Sequence, residues 1–360
     1  MFHVGYCISA HGYGHAARAA AVMEALAGFV DVRFTILTKV PRWFFRSSLS
    51  ASFTVHPVQI DVGLVQQSAL ETDLPATVRT LNSFYAGDIK ILPKLSRLLT
   101  GCHLVISDIA PVGLAAAYEA GIPSVLIENF TWDWIYENYL AAYPGFQPYI
   151  LRIKEMNALA KYRIQTEPVC KKRRCDLLAA PIARKIRSSR EQIRRQLGVR
   201  HDDRLVLVSM GGEGIRQVPA TIIDRCPDII FLVSGPKSRI AERKNLRILP
   251  PDSDFFHPDL VAAVDAVVGK VGYSTLAEVY HAGVPLGYIR RPDFRESGPL
   301  VSFIEQNLAG IEIQAEDFAG GSWNDVLPRL FALPGKKSLP VNGADQCAGF
   351  LAGLLRSPGP

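Results

Sequence analysis

A short glycine-rich segment near the N-terminus constrains this chain more than any other feature. Residues 4–9 form an apolar run typical of a β-strand, and residues 16–27 are an alanine-rich stretch that favours a helix. Between them lie Gly12, Gly14 and His15. Glycines let a ligand approach the backbone closely, and the N-terminus of the following helix favours anions. A dinucleotide-binding turn would have a third glycine near position 17, where this chain has alanine, so the segment does not match that fingerprint. The pattern therefore predicts an anion-binding turn that also carries an imidazole.

The length and composition fit a globular protein of two domains. The chain has 360 residues, which is long for one domain. Its 48% apolar and 21% charged residues are typical of a folded chain rather than a disordered one. We find no uncharged apolar run of about 18 residues and no signal-peptide pattern. The six cysteines are scattered without a Cys-x-x-Cys pair. We therefore expect reduced thiols, no metal site and a cytoplasmic location.

Positive charge is concentrated in residues 151–200, which hold 15 Lys and Arg against 4 Asp and Glu, a net charge of +11. The whole chain carries +6, so the remaining residues sum to −5. Such a block is typical of a solvated linker and helix face. The alternative is that it attracts an anionic membrane or lipid phosphate, which would place the protein at the inner membrane face. Nucleic acid is not expected, because no aromatic residues interleave with the charges.

The order of predicted elements indicates an α/β protein with two Rossmann-like halves. Short β-rich runs alternate with helical segments, and the rhythm restarts after the basic block. This alternation favours doubly wound parallel sheets covered by helices on both faces. We predict an N-terminal domain over 1–165, a basic linker over 166–200 and a C-terminal domain over 201–343. A last helix over 344–356 is expected to pack back on the first domain.

The predicted strands are rich in Val, Ile and Leu, and they cover 4–9, 32–37, 54–58, 104–107, 124–127, 205–209, 229–233, 246–248, 266–268 and 286–289. Helices are predicted in the first half over 16–27, 77–99, 113–120 and 132–139. Ligands of open parallel sheets bind at the carboxyl ends of the strands. The cleft between the two halves is therefore the expected binding site.

Two glycine-containing turns in the second half are candidate phosphate-binding loops. Gly211 and Gly212 follow the first strand of that half, although a tight turn alone would also need glycine. The stronger pattern is residues 269–278, where a strand ends and a helix begins. Its candidate phosphate ligands are Lys270, Gly272, Ser274 and Thr275. Glu278, about one turn into the helix, is either a ligand for ribose hydroxyls or an ordinary first-turn acid.

These segments together resemble GT-B glycosyltransferases that use nucleotide sugars, among them the MurG-type, glucuronosyl- and plant glycosyltransferases. Gly14-His15 is similar to the glycine-histidine pair of their first loop, and 272–278 is similar to their donor diphosphate and ribose loop. A resemblance that runs nearly end to end is to the N-terminal glycosyltransferase-like region of plant L-arabinokinases and its bacterial stand-alone relatives. The segments that carry it are 11–18, 105–111, 128–136, 269–275 and 290–300. It does not include the sugar kinase domain, so it implies no kinase activity.

The resemblance implies a GT-B fold, in which two Rossmann-like domains face each other across a cleft, and transfer of a hexose-type sugar from a UDP-sugar or related donor. His15 would be the base, since imidazole titrates near cellular pH. Asp108, which matches the aspartate that orients this histidine in the plant members, would be its partner. His11 is a competing base. The plainer interpretations are a phosphate-binding or capping role for His15 and a turn or cap role for Asp108.

The resemblance also implies donor and acceptor residues. Asp293 and Glu296 would hold donor-sugar hydroxyls, unless they are ordinary surface acids. Phe256 would stack on the nucleotide base, unless it is only an apolar staple before the next helix. The residues expected on the acceptor side are Asn129, Trp132 and Asp133. No Asp-x-Asp pattern stands in the expected place, which fits a metal-independent reaction that needs no cofactor. The resemblance itself implies that the reaction is inverting. The acceptor, whether glycan, lipid or small molecule, stays open.

Two other functions remain possible from the sequence. A sugar-nucleotide 2-epimerase shares the two-half layout but needs additional acids near the sugar C2, which we do not locate. A non-catalytic sugar-nucleotide binding module would hold the donor without turning it over.

Overall fold

The computed structural model describes residues 1–68, 70–85, 89–211, 218–234, 244–250, 253–335 and 341–357. Within these residues, two parallel β-sheets are each covered by helices. No helix in this part of the chain combines the length and the apolar character that crossing a bilayer requires.

The strands of both sheets are, in chain order, β1 (Phe2–Ile8), β2 (Val32–Thr38), β3 (Phe53–Pro57), β4 (Leu104–Asp108), β5 (Ser124–Glu128), β6 (Tyr162–Thr166), β7 (Leu177–Ala179), β8 (Arg204–Ser209), β9 (Ile229–Ser234), β10 (Leu246–Leu249), β11 (Ala266–Lys270), β12 (Leu286–Ile289) and β13 (Gly310–Glu312). They form two sheets in the orders β3-β2-β1-β4-β5-β6-β7 and β10-β9-β8-β11-β12-β13. Each strand pairs in parallel with its neighbours.

The helices that cover the sheets are α1 (Gly14–Ala27), α2 (Arg42–Arg46), α3 (Leu74–Tyr85), α4 (Leu92–Leu99), α5 (Pro111–Glu119), α6 (Trp132–Glu137), α7 (Gln147–Ala158), α8 (Arg190–Gln196), α9 (Ala220–Arg225), α10 (His257–Ala263), α11 (Tyr273–Ala282), α12 (Ser297–Asn307), α13 (Ala315–Gly320), α14 (Val326–Ala332) and α15 (Gly343–Arg356). A single 3₁₀ turn, Pro144–Phe146, precedes α7.

The first sheet is buried on both faces, as parallel sheets generally are. Helices α3 to α7 cover one face with an aromatic-rich core, and α1, α2 and α15 cover the other. Helix α5 approaches β1 closely because Gly113 has no side chain: a Cβ at this position would lie 2.4 Å from the Cβ of Cys7. Helix α15, the last of the described chain, packs on α1 in the core of the first half.

The second sheet has the same layered arrangement. Helices α8, α10, α11 and α12 cover one face with leucine and valine side chains. Helices α9, α13 and α14 cover the other face around the buried Trp323. Each half therefore has its own core on both sides of its sheet.

Both sheets reverse their strand order at a defined point, between β1 and β4 in the first and between β8 and β11 in the second. The predicted doubly wound α/β architecture is thus confirmed. Ligands of such sheets bind in the crevice at this switch point. The carboxyl ends of these four strands carry the turn around Gly12 after β1, Asp108 at the end of β4, the turn at Gly211 after β8 and the turn at Gly272 after β11.

Some elements differ from the prediction. The sequence pattern does not indicate β6, β7 or β13, because these strands are short and β6 contains charged and amide side chains. The single helix expected over 77–99 is wrong: α3 and α4 are separate helices. Pro93 lies in the first turn of α4, where proline is tolerated because its missing N–H would have no partner within the helix, whereas in a helix interior it would remove a hydrogen bond.

The stretch predicted as a basic linker, 166–200, contains parts of both halves. Strand β7 extends the first sheet, and α8 packs in the core of the second half. Arg190 pairs with Asp265 at 2.6 Å, and the buried Arg194 donates to backbone carbonyls. A linker over the whole range is therefore wrong, since only the crossover between β7 and α8 lies between the elements of the two halves.

Gly343 provides a test of how α15 packs. A Cβ at this position would lie 1.9 Å from the carbonyl oxygen of Ala180, so we predict that Gly343→Ala lowers the free energy of unfolding by about 1–3 kcal/mol. Gly353→Ala is the matched control, because a Cβ there meets nothing within 4 Å and alanine favours a helix. Urea denaturation measures both variants. Equal stability of the two would contradict the packing described.

Candidate active site

A buried arginine, carboxylate and imidazole lie together at the switch point of the first sheet. His15 and Arg18 belong to the start of α1, and Asp108 is the last residue of β4. His15 Nδ1 lies 2.8 Å from Asp108 Oδ1. Arg18 donates to both carboxylate oxygens, from Nε to Oδ2 at 2.7 Å and from Nη2 to Oδ1 at 2.6 Å. The predicted pairing of His15 with Asp108 is therefore present in the structure.

The charge on Asp108 fixes how the imidazole is protonated. Burial raises the pKa of Asp108, but the charge of Arg18 and the hydrogen bonds from Arg18 and His15 outweigh this effect and hold the pKa below its usual value. An ionised carboxylate only accepts hydrogen bonds. In the neutral ring Nδ1 therefore carries the proton and donates it to Asp108, which leaves Nε2 of His15 able to accept a proton.

Arg18 is a residue of this site that the sequence analysis does not assign. Only 1% of its surface is exposed. Its Nη1 donates to Asn129 Oδ1 at 2.7 Å, and its guanidinium lies 4.8 Å from the ring centre of Tyr273 in the second half. One sequence feature could have indicated this role: Arg18 is a single cation inside the alanine-rich stretch of α1. A charge on so apolar a helix is buried, and a buried charge needs a partner. Arg18 thus connects the two halves of the molecule.

The N-terminus of α11 faces the N-terminus of α1 across the cleft. A Cβ at Gly14 would lie 3.5 Å from Ser274 Oγ. Gly272 is the N-cap of α11 and provides no side-chain cap. The first N–H groups of a helix lack partners within it and favour an anion, so two such ends in proximity form a suitable site for a phosphate group. The predicted residues Ser274 and Thr275 lie in the first turn of α11.

Two predicted glycines have left-handed backbone that favours glycine. Gly12 has φ +74° and Gly211 has φ +72°. A Cβ at Gly211 would lie 3.3 Å from Lys270 Nζ, so the ammonium group of Lys270 lies beside the turn after β8. Gly212 lies outside the described residues.

Glu278 is buried and already has two partners. Its Oε1 accepts from Arg184 at 2.9 Å, and its Oε2 lies 2.6 Å from His257 Nδ1. Burial raises the pKa of Glu278, but Arg184 and His257 outweigh this effect and lower it to about 2. The ring of Phe256 lies 4.9 Å from the guanidinium of Arg184 and 4.2 Å from that of Arg187. Both predicted nucleoside ligands therefore contact arginines of the crossover, which the sequence analysis does not assign.

The two acids predicted to hold the donor sugar differ in environment. Asp293 has an exposed side chain, and its carbonyl oxygen accepts from the hydroxyl of Tyr139. Glu296 accepts from Arg291 Nη2 at 2.5 Å. Arg291 is 4% exposed and its guanidinium lies 3.6 Å from the ring centre of Phe294. In the described ranges, no group of three or more His, Cys, Asp or Glu side chains is placed to hold a metal ion.

The acceptor-side residues separate into two groups. The ring of His11 meets the ring of Trp132 edge to face at 5.1 Å, and Asn129 accepts from Arg18. Asp133 does not join them: its buried carboxylate accepts from Asn157 of α7 and from Arg173. That Asp133 lies on the acceptor side stays a prediction, although its carboxylate is directed to Asn157 rather than to His11.

The structure distinguishes the two candidate bases. Burial, and then the charges of His15, Arg291 and Lys270, lower the pKa of His11 to about 3. An imidazole with so low a pKa is a weak general base at neutral pH. His15, with its Nδ1 hydrogen-bonded to Asp108, is the better placed of the two.

Asp61 is a further residue that the sequence analysis does not assign. It follows β3 in the long connection to α3 and is buried. The indole Nε1 of Trp132 donates to its Oδ2 at 2.9 Å. Nothing in the local sequence indicates this contact, because the two residues are far apart in the chain.

The chain resembles proteins of known activity in sequence, although no family model matches it. It is 29% identical over 363 residues to L-arabinokinase of Arabidopsis thaliana, covering 96% of this chain and 34% of that protein. It is 25% identical over 229 residues to the UDP-N-acetylglucosamine--N-acetylmuramyl-(pentapeptide) pyrophosphoryl-undecaprenol N-acetylglucosamine transferase of Leuconostoc citreum (strain KM20), covering 58% of each chain. The chain thus spans about a third of the first relative and somewhat over half of the second.

A solved structure extends this likeness to the whole fold. The chain matches a UDP-glucosyltransferase from Polygonum tinctorium with a TM-score of 0.65 and 15% identity, over 99% of both chains. At this identity the match shows the fold, which is GT-B as predicted. The predicted resemblance to GT-B glycosyltransferases and to L-arabinokinase is confirmed.

The buried carboxylate of Glu278 makes the stability of the protein depend on pH. The pKa of Glu278 is lowered from 4.5 to about 2, so its ion pair contributes stability above pH 4.5 that is lost as the pH falls through 2. We expect the free energy of unfolding to fall across this range by on the order of 3 kcal/mol more in the wild type than in Glu278→Gln. Urea denaturation at several pH values measures it, with the exposed Glu305→Gln as control. Parallel pH profiles for wild type and Glu278→Gln would contradict this.

Proposed function

We propose that this chain, which has the GT-B fold, is a glycosyltransferase that moves a hexose-type sugar from a nucleoside diphosphate sugar to an acceptor hydroxyl. The observation that carries the proposal is the meeting of the His15–Asp108 pair with the N-terminus of α11 across the cleft. Inverting transfer needs a base for the acceptor and a stabilising site for the departing diphosphate. UDP is the favoured nucleotide, since the names of the L. citreum relative and the P. tinctorium neighbour both include UDP.

In the proposed reaction Nε2 of His15 takes the proton of the acceptor hydroxyl. The acceptor oxygen forms a bond to the anomeric carbon from the face opposite the diphosphate. The bond between that carbon and the phosphate oxygen breaks, and its electron pair leaves with the diphosphate. The N–H groups at the start of α11 and the ammonium of Lys270 stabilise the negative charge that develops there. The reaction as proposed is inverting and uses no metal.

Asp108 acts in this scheme mainly by holding the ring of His15. Its negative charge is already matched by Arg18, with which it shares two hydrogen bonds. His15 therefore faces an ion pair of zero net charge rather than a free carboxylate. The hydrogen bond to Nδ1 keeps the tautomer in which Nε2 accepts the proton.

The remaining predicted residues give the donor its orientation. The diphosphate would lie against Gly14, Ser274 and Thr275, the ribose at Glu278 and the base at Phe256, with Asp293 and Glu296 beside the sugar. Because Arg184 now binds Glu278, a ribose there shares the carboxylate with this arginine or replaces it. Arg184 lies on the crossover, so donor binding also affects the connection between the halves.

The location of the protein remains part of the proposal. We expect it in the cytoplasm. Much of the basic block is engaged within the protein, as in the pairs of Arg163 with Glu128 and Arg184 with Glu278. Contact of the remaining exposed cations with an anionic membrane stays a prediction.

His15 provides the first test of this function. We predict that His15→Gln lowers turnover of the sugar donor by about 10²–10⁴-fold, because the general base is lost, while donor binding is kept. Release of nucleoside diphosphate measures turnover, and calorimetric titration measures binding. His201→Gln, at an exposed turn, is the matched control. Turnover within threefold of the wild type would exclude His15 as the base.

Gly272 tests the donor site. A Cβ there has no neighbour closer than the carbonyl oxygen of Lys270 at 4.0 Å, and its φ of −150° suits any residue. The Gly272→Val variant should therefore fold. We expect it to weaken binding of UDP or another nucleoside diphosphate by about 1–3 kcal/mol, since its side chain obstructs the helix N-terminus. Unchanged affinity would remove this loop from the donor site.

A further inference from the structure

A pocket in the first half is lined by His11 and by the segment that follows β3. Its volume is about 210 Å³, and its polar lining groups are those of His11, Lys39, Gln59, Asp61 and Thr80. Two of these groups bind each other, since Lys39 donates from Nζ to Gln59 Oε1 at 2.9 Å. Pockets that hold drug-sized ligands are about 300–1,000 Å³. This pocket therefore suits a compact molecule.

Asp61 gives the pocket its chemical character. Only 6% of its surface is exposed. The indole of Trp132 donates to it, but no ion pair to it is found among the described residues. A carboxylate offers about four acceptor positions. Asp61 thus retains capacity for hydroxyl donors of a ligand.

The pocket adjoins the proposed base. Trp132, which donates to Asp61, has its ring centre 5.1 Å from that of His11 and 6.5 Å from that of His15. His11 lines the pocket, and its ring shares the indole of Trp132 with the ring of His15. A molecule bound at Asp61 is therefore in position to present a hydroxyl towards His15.

We propose that this pocket binds the acceptor, and that the acceptor is a small neutral polyol, either a free monosaccharide or a cyclic polyalcohol. This rests on the proposed function and names its acceptor class. The lining places a carboxylate, an amide, a hydroxyl and an ammonium around a small volume, which matches a compact molecule with several hydroxyls. A lipid chain or an aromatic alcohol would leave the remaining acceptor positions of the Asp61 carboxylate without a donor, which is unfavourable.

An acceptor panel tests the proposal without any variant. UDP-glucose, UDP-galactose and UDP-N-acetylglucosamine are each incubated with the wild-type chain, and UDP release is followed with glucose, xylose, myo-inositol, a phenol or 1-octanol added. We expect at least one sugar or cyclic polyol to raise UDP release tenfold or more over water. The phenol and 1-octanol should have no effect.

Asp61→Asn then tests the residue itself. We expect it to lower kcat/KM for the polyol acceptor by 10–100-fold, chiefly by raising KM, while the Kd for UDP stays unchanged. Asp202→Asn, at an exposed turn, is the matched control. The selective loss distinguishes a ligand-binding carboxylate from a structural one.

The outcomes separate this inference from the proposed function. Donor consumed only with the phenol or with 1-octanol would overturn the polyol assignment and leave the transferase standing. An unchanged polyol KM in Asp61→Asn would overturn the role of Asp61. No turnover of any donor, with or without an acceptor, would overturn the transferase and this inference together.

Discussion

Arg18 and Asp108 form an ion pair that is almost completely removed from water. Desolvating two such charges costs several kcal/mol per ion, so the pair is stable only when its hydrogen bonds are complete. They are: Arg18 binds both oxygens of Asp108 and the amide oxygen of Asn129. The pair requires that β1 and β4 be neighbours in register, with Ile8 opposite Asp108. The position and tautomer of His15, and hence the proposed chemistry, follow from this constraint.

The same ion pair determines how the second half meets the first. Tyr273, the residue directly after Gly272, lies over the guanidinium of Arg18. Its hydroxyl accepts from the backbone N–H of Ile182 on the crossover and hydrogen-bonds to Thr166. The start of α11 is thereby held against the element that carries the base. Arg18 holds the base through Asp108, and Tyr273 opens the helix that forms the anion site. A change in the angle between the halves would shift the contact of Arg18 with Tyr273 and so alter the distance between the base and the anion site.

Much of this arrangement could be predicted from the sequence. Apolar runs gave most strands, and the glycine turn with its histidine located the first switch point. Arg18, Asp61 and Arg291 were missed because each acquires its role from a partner distant in the chain, which no local pattern records. Asp133 is expected beside Trp132 because the two are neighbours in sequence, whereas the helix directs its carboxylate to Asn157. Likewise Glu278 was recognised from its position in the loop, but its partners Arg184 and His257 come from other elements.

The most direct test of the central claim is a crystal structure of the chain with a non-transferable analogue of a UDP-sugar. We predict that the diphosphate accepts hydrogen bonds from the backbone N–H groups of Ser274 and Thr275, and that the anomeric carbon faces Nε2 of His15 with space between them for one hydroxyl. A nucleotide bound elsewhere, or an anomeric carbon turned away from His15, would contradict the account.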